Sequence, residues 1–122
     1  NATELSFYGI EAAMNQNYGW QFAYLMFRNQ ELAKEIGLDE DFLTRIAESI
    51  ENMDQLEWKE DFEAGLEEGS QMTAELQAQD QIAIDLEIRD APAVVVNGPA
   101  GTEIVQDAPD LDEIEAAIDK VR

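Results

Sequence analysis

Carboxylates are the commonest side chains here that could do chemistry. Glu57, Glu60, Asp61, Glu63, Glu67 and Glu68 crowd one stretch, and Asp107, Asp110, Asp112, Glu113 and Glu115 another. Two opposed carboxylates can cleave a glycosidic bond, and clustered ones can hold calcium. The spacing supports neither. An EF-hand needs alternating ligands, a glycine at the sixth place and a bidentate Glu at the twelfth, and the second group fails this pattern. A capped helix with a solvated face accounts for it. Helical spacing puts most of the first group on an exposed face as well. Histidine and cysteine are both absent, which removes thiolate nucleophiles, zinc sites built on them and any Ser-His-Asp triad. The glycines of Asn97-Gly-Pro-Ala-Gly101 are followed by no lysine and no immediate helix, so they form a turn rather than a phosphate loop. Trp20, Tyr24 and Phe27 are expected in the core, not in a ligand cage. No catalytic residue, metal ligand or cofactor is therefore expected within this chain.

The elements that would position any site read as helices first and strands later. Phe7, Ile10, Ala13 and Met14 recur at three and four residues, giving the first helix its apolar face. Asn15-Gln-Asn-Tyr-Gly19 interrupts it with turn formers. Trp20, Ala23, Tyr24, Phe27 and Leu32 then predict an amphipathic helix to about Lys34, with Gly37 placed as a terminal glycine. Asp39 is read as the cap of a helix through Glu51, with Leu38 and Leu43 as its hydrophobic staple. Asp54 caps the next, with Glu57 in the capping-box place and Met53 and Trp58 as staple. Gly65 and Gly69 weaken its end. Ser70 opens a further helix to about Leu86, with Met72, Leu76, Ala83 and Leu86 on its buried face. At Ile88 the period changes. Ala91-Pro-Ala-Val-Val-Val96, a turn, and Glu103-Ile-Val-Gln106 predict a β-hairpin. Asp110 and Glu113 then start a closing helix whose core face is Leu111, Ile114, Ile118 and Val121. No internal repeat is present.

Composition bounds the partners. The 122 residues carry 28 acidic and 7 basic side chains, a net charge of −21. Such a surface repels nucleic-acid phosphates and anionic lipid, so neither nucleic acid nor membrane is an expected partner. The longest apolar runs, Phe22–Phe27 and Ala91–Val96, fall far short of the roughly 20 residues that span a bilayer. No basic segment leading into an apolar run opens the chain, so no signal peptide is expected.

The order of elements and several motifs resemble DsbA-like, thioredoxin-fold thiol–disulfide oxidoreductases. Tyr18-Gly-Trp-Gln-Phe-Ala-Tyr-Leu-Met-Phe-Arg-Asn-Gln30 is similar to the family helix that ends in a short Asn-Gln element. Phe42-Leu-Thr-Arg-Ile-Ala47, Met53-Asp54 and Trp58 are similar to the family's next helical stretch. Leu86 to Gly98 resembles the passage leading through a residue–proline pair into an apolar strand and an NG turn. Two departures stand out: Ala91 replaces the usual Thr or Val, and Glu87 and Asp90 stand where glycine is common. The likeness covers nearly the whole chain. It implies a partial α/β, thioredoxin-like fold, with a helical insertion over 3–86 and a strand–strand–helix second half over 87–122, in one compact unit. It implies that the strand and the Cys-x-x-Cys helix of the first half lie outside this chain. Ala91 and Pro92 become the implied substrate-binding residues, with a cis peptide bond between them, an extended polypeptide as partner, and an extracytoplasmic setting in periplasm or cell envelope. Without the first-half strand, one edge of Ala93–Val96 is left bare, which predicts a homodimer through that edge or through shared helical faces.

Overall fold

The computed structural model describes all 122 residues. It is mostly helical, with seven helices and one two-stranded antiparallel sheet. Two compact units succeed one another along the chain, Asn1–Leu76 and Gln77–Arg122. The boundary lies earlier than 86/87 because the residues that fasten α6 (Gln71–Asp85) to the first unit sit in its opening turns. Met72 packs on that unit's core, and Thr73 Oγ1 and Tyr8 Oη are 3.0 Å apart. Met72, Leu76 and Ala83 along α6, and Leu86 just past its end, are half-buried and none is fully buried, a shallower burial than the apolar spacing predicts.

The first unit is organised around Trp58, on α5 (Gln55–Leu66). Its ring stacks on Phe62 at 5.1 Å and on Phe22 of α2 (Gly19–Arg28) at 5.8 Å. Its indole Nε1–H donates to the carbonyl of Gly9 at 3.0 Å in the buried interior. That bond brings α1 (Ala2–Met14) close, and the α1 residues facing inward are small: Gly9, Ala12 and Ala13, with Tyr8 beside them. A Cβ on Gly9 would stand 3.1 Å from Phe22. The buried face of α1 is thus rotated from the expected one. Ala13 is buried, but Phe7 and Ile10 are half-buried and Met14 is exposed.

Caps fall where the sequence places them. Asp39 accepts from the Phe42 amide at 2.9 Å, opening α4 (Glu40–Glu48). Asp54 accepts from Glu57 at 3.0 Å, with the staple residues Met53 and Trp58 both buried. Ser70 Oγ accepts from Thr73 at the start of α6. The predicted helix from Trp20 to Lys34 is instead two. Asn29 turns its side chain onto the Leu25 carbonyl at 2.7 Å and leaves helical geometry, and α3 (Gln30–Ile36) begins anew, ending at Gly37 with φ 99. Short polar side chains that bond nearby backbone compete with the helix in this way.

In the second unit β1 (Val94–Gly98) pairs with β2 (Gly101–Val105) across a two-residue turn, Pro99-Ala100. Asp110 caps α7 (Leu111–Val121) by accepting from Glu113 at 2.9 Å. The helix lies against one face of the hairpin. A Cβ on Gly98 would collide with the Val121 carbonyl, and the Ala100 amide donates to that same carbonyl at 3.1 Å. Ala117 and Val121 form the buried stripe. Leu111 and Ile118, expected inside, are exposed, since a two-stranded ribbon is too narrow to cover the whole apolar arc of a helix.

Replacing Trp58 by Phe removes the indole donor and leaves the buried Gly9 carbonyl unpaired. Trp58→Phe is expected to lower the stability of the first unit by about 1–3 kcal/mol, read from the urea midpoint by far-ultraviolet circular dichroism. An unchanged midpoint would show that the bond is not what holds α1 to α5.

Candidate functional site

Ala91 and Pro92 stand together at the entrance to β1, both exposed to solvent. The peptide bond between them is cis. The Pro92 carbonyl accepts from the Ala108 amide at 3.2 Å, tying the entrance to the loop after β2. Upstream, Gln106 holds the lead-in: its Oε1 accepts from the Arg89 amide at 2.9 Å and its Nε2 donates to the Glu87 carbonyl at 3.4 Å.

Glu87 explains how that lead-in turns. It adopts φ 57, in the left-handed region. Its amide donates to Ile84 at 3.0 Å and the Ile88 amide to Ala83 at 2.9 Å. This paired closure ends α6 as glycine commonly does. A glutamate supplies it at a steric cost, so the departure noted in the sequence falls on a position with a glycine geometry.

A second candidate surface was not expected. Trp20, Tyr24 and Phe27 are not core residues: they are 88%, 58% and 71% exposed. At i, i+4 and i+7 they form one aromatic stripe along the outside of α2. Phe22, on the opposite side, takes the buried place against Trp58. The helix is apolar on two faces, and only one meets the core. Beside the stripe, the Arg28 guanidinium donates to Tyr24 Oη at 3.1 Å and lies 5.8 Å from its ring centre. Between α1 and α2 runs an apolar groove in two lobes, of about 420 and 300 Å³, which share Ile10 and Ala23. Trp20 and Met14 border the first lobe, and Phe27 and Leu38 the second.

A third depression, of about 200 Å³, is lined by Glu11, Asp61 and Glu75. Asn15 Nδ2 donates to Asp61 at 2.9 Å. Burial, and then the nearby charge of Glu75, hold the Glu11 carboxyl above its ordinary value. No group of three or more carboxylates stands in metal-holding geometry. No helix is long and apolar enough to cross a membrane. Neither a family model, nor a curated protein, nor a solved structure matches the chain.

Two substitutions test these local readings. Glu87→Gly is expected to stabilise the second unit by up to about 1 kcal/mol, by relieving the left-handed strain of a residue with a Cβ; a lower melting temperature would refute the strain. For Glu11, the raised folded-state value means that protonation favours the folded chain, so its contribution is present in acid and lost as pH rises through the carboxylate range. Glu11→Gln should therefore raise the melting temperature at neutral pH, by no more than about 0.5 kcal/mol in stability, and leave it unchanged in acid. An equal gain at both pH values would assign the effect to something other than charge.

Proposed function

We propose that this chain is the C-terminal part of a DsbA-like thiol–disulfide oxidoreductase, forming the proline wall and helical lid of a groove for extended polypeptides. The observation that carries the reading is the exposed Ala91–Pro92 pair at the mouth of a strand whose outer edge has no partner strand. A groove of this kind recognises a substrate by main-chain pairing, with the Ala91 N–H and C=O matched to an extended backbone. The single methyl of Ala91 leaves space above it for two sulfurs to approach. The chemistry such a groove serves is attack of a thiolate on a substrate disulfide through a mixed disulfide. This chain contributes no thiol to it and binds without reacting.

A second reading has its own support: the aromatic stripe Trp20, Tyr24 and Phe27 beside Arg28 is of the composition that dominates protein interfaces. On that reading the chain is an acidic helical interaction module, or a cysteine-less thioredoxin-like binding protein, without a redox role.

The test adds a reduced and alkylated polypeptide to isotope-labelled chain and monitors its amide and indole resonances. The redox-groove reading expects shifts at Ala91 and Ala93, with Trp20 unmoved, and no reduction of insulin above a buffer blank. Shifts confined to the Trp20 indole and its neighbours would instead support the interaction module. In the parent gene, the groove reading also expects a strand and a Cys-x-x-Cys helix encoded within about 60–80 residues before Thr3, a domain-sized distance. An intact start codon beside Asn1 would overturn it.

A further inference from the structure

The entrance at Ala91 and Pro92 is clamped at a conformational cost. Past β2 the chain takes two successive left-handed residues, Asp107 at φ 61 and Ala108 at φ 52. Aspartate visits that region readily, whereas alanine seldom does. What the turn achieves is the bond from the Ala108 amide to the Pro92 carbonyl, at 3.2 Å. Residues held in this way persist where their surroundings over-determine them, and they gather at ligand clamps. The clamp leaves one residue of the entrance unsatisfied. Ala91 lies ahead of the ladder, which begins at Val94, and its N–H and C=O join no other backbone hydrogen bond.

The same clamp brings carboxylates to that free backbone. Asp90 adjoins Ala91 in the chain, and Asp107 adjoins Ala108, whose amide holds Pro92. Gln106 draws Glu87 to the same place through the bond from its Nε2 to the Glu87 carbonyl. All three carboxylates are exposed and none is in an ion pair. The basic residues of the second unit are Arg89, Lys120 and Arg122. Lys120 is taken by Glu103 and Arg122 by Asp119, so Arg89 alone stands against the three. We propose that the entrance selects extended polypeptides that are basic beside the paired residue. Asp90 and Asp107 are the selecting groups, one upstream and one downstream of Ala91–Pro92. A strand laid on Ala91 sets successive side chains of one face roughly 6–7 Å apart. A lysine or arginine on either side of the paired residue is long enough to meet one carboxylate or the other. A neutral strand makes the same main-chain bonds without that gain, and an acidic one is repelled. Main-chain pairing thus supplies contact without regard to sequence, and charge supplies the choice. This inference rests on the groove reading of Ala91 and Pro92, to which it adds the class of polypeptide.

The test titrates three cysteine-free, unstructured peptides of one length into the isotope-labelled full chain. They differ only in flanking residues, which are lysine, glutamine or glutamate, and amide shifts at Ala91 and Ala93 report binding. At low salt the lysine peptide is expected to bind at least about tenfold tighter than the glutamine peptide, and the glutamate peptide more weakly still, with the differences closing as salt rises. General attraction to an acidic chain predicts the same ranking, so variants separate the two. Asp90→Asn with Asp107→Asn should remove most of the lysine peptide's advantage and leave the glutamine peptide unchanged. Asparagine also adopts the left-handed conformation, which keeps the clamp. Either substitution alone should show part of the loss, so the test survives an unstable double variant. Glu48→Gln with Glu60→Gln removes as much charge from the first unit and should leave the ranking unaltered. Equal binding of all three peptides at Ala91 overturns the basic preference and leaves the groove standing. An equal loss in both double variants also overturns it, since the charge of the whole chain would then be selecting. Absence of shifts at Ala91 with every peptide overturns the groove reading and this inference together.

Discussion

The hydrogen bond from the Trp58 indole to the Gly9 carbonyl is the constraint from which the first unit is built. A buried main-chain carbonyl facing a large ring cannot be left without a donor, and an indole has a single donor to give. Satisfying both fixes how near α1 comes to α5. That distance admits only Gly9, Ala12 and Ala13 along the contact, and it places Phe22 and Phe62 on either side of the indole. The cap at Asp54 and the buried Met53 set where α5 begins, and so the height at which Trp58 enters the core. Gln16 reinforces the same junction from outside, accepting from the Asp54 amide at 2.8 Å and donating to its carbonyl at 3.0 Å. Stability in this unit thus rests on aromatic packing and a few polar contacts with fixed geometry.

The second unit is held differently. Its fully buried apolar side chains are only Ala117 and Val121, and its coherence comes from close backbone approach. Gly98 lies against the last turn of α7, where the Val121 carbonyl, one of the acceptors a helix end leaves without an internal partner, is taken by the Ala100 amide. Lys120 reaches Glu103 at 3.9 Å, but both are largely exposed and such a pair adds little. A thin layer of this kind leaves apolar surface uncovered on Leu111 and on Ile118.

Boundaries were legible in the sequence because capping is local chemistry. Asp39, Asp54, Ser70 and Asp110 each bond an amide three residues on, and nothing distant can alter that. Helix faces were less legible. In α1 the spacing of Phe7, Ile10 and Met14 marks a good apolar stripe, yet burial tracks Tyr8, Gly9 and Ala12, because a close helix contact selects small side chains rather than large ones. In α2 two stripes compete, and only the position of Trp58 decides that Phe22 goes in and Trp20, Tyr24 and Phe27 stay out. The same i, i+4, i+7 spacing was the available sign of that surface, but spacing alone does not say which stripe meets the core. The break at Asn29 is a contest between helix propensity and a side-chain bond to Leu25. At the hairpin, the β-branched run and the glycine-rich turn set the pairing, and Ala91 and Pro92 lie at its entrance.

Charge connects the two units' exposed apolar features to behaviour in solution. Five ion pairs are formed, all between exposed groups and most within one helix, so they neutralise little of the excess. The repulsion between copies acts over about a Debye length, roughly 10 Å at moderate salt, whereas strand pairing and aromatic contact act only at touching distance. Encounters between copies are therefore resisted before any apolar surface is reached. An exposed tryptophan is tolerable on such a chain for that reason. The acidic surface resists association between copies, and the resistance weakens as salt rises.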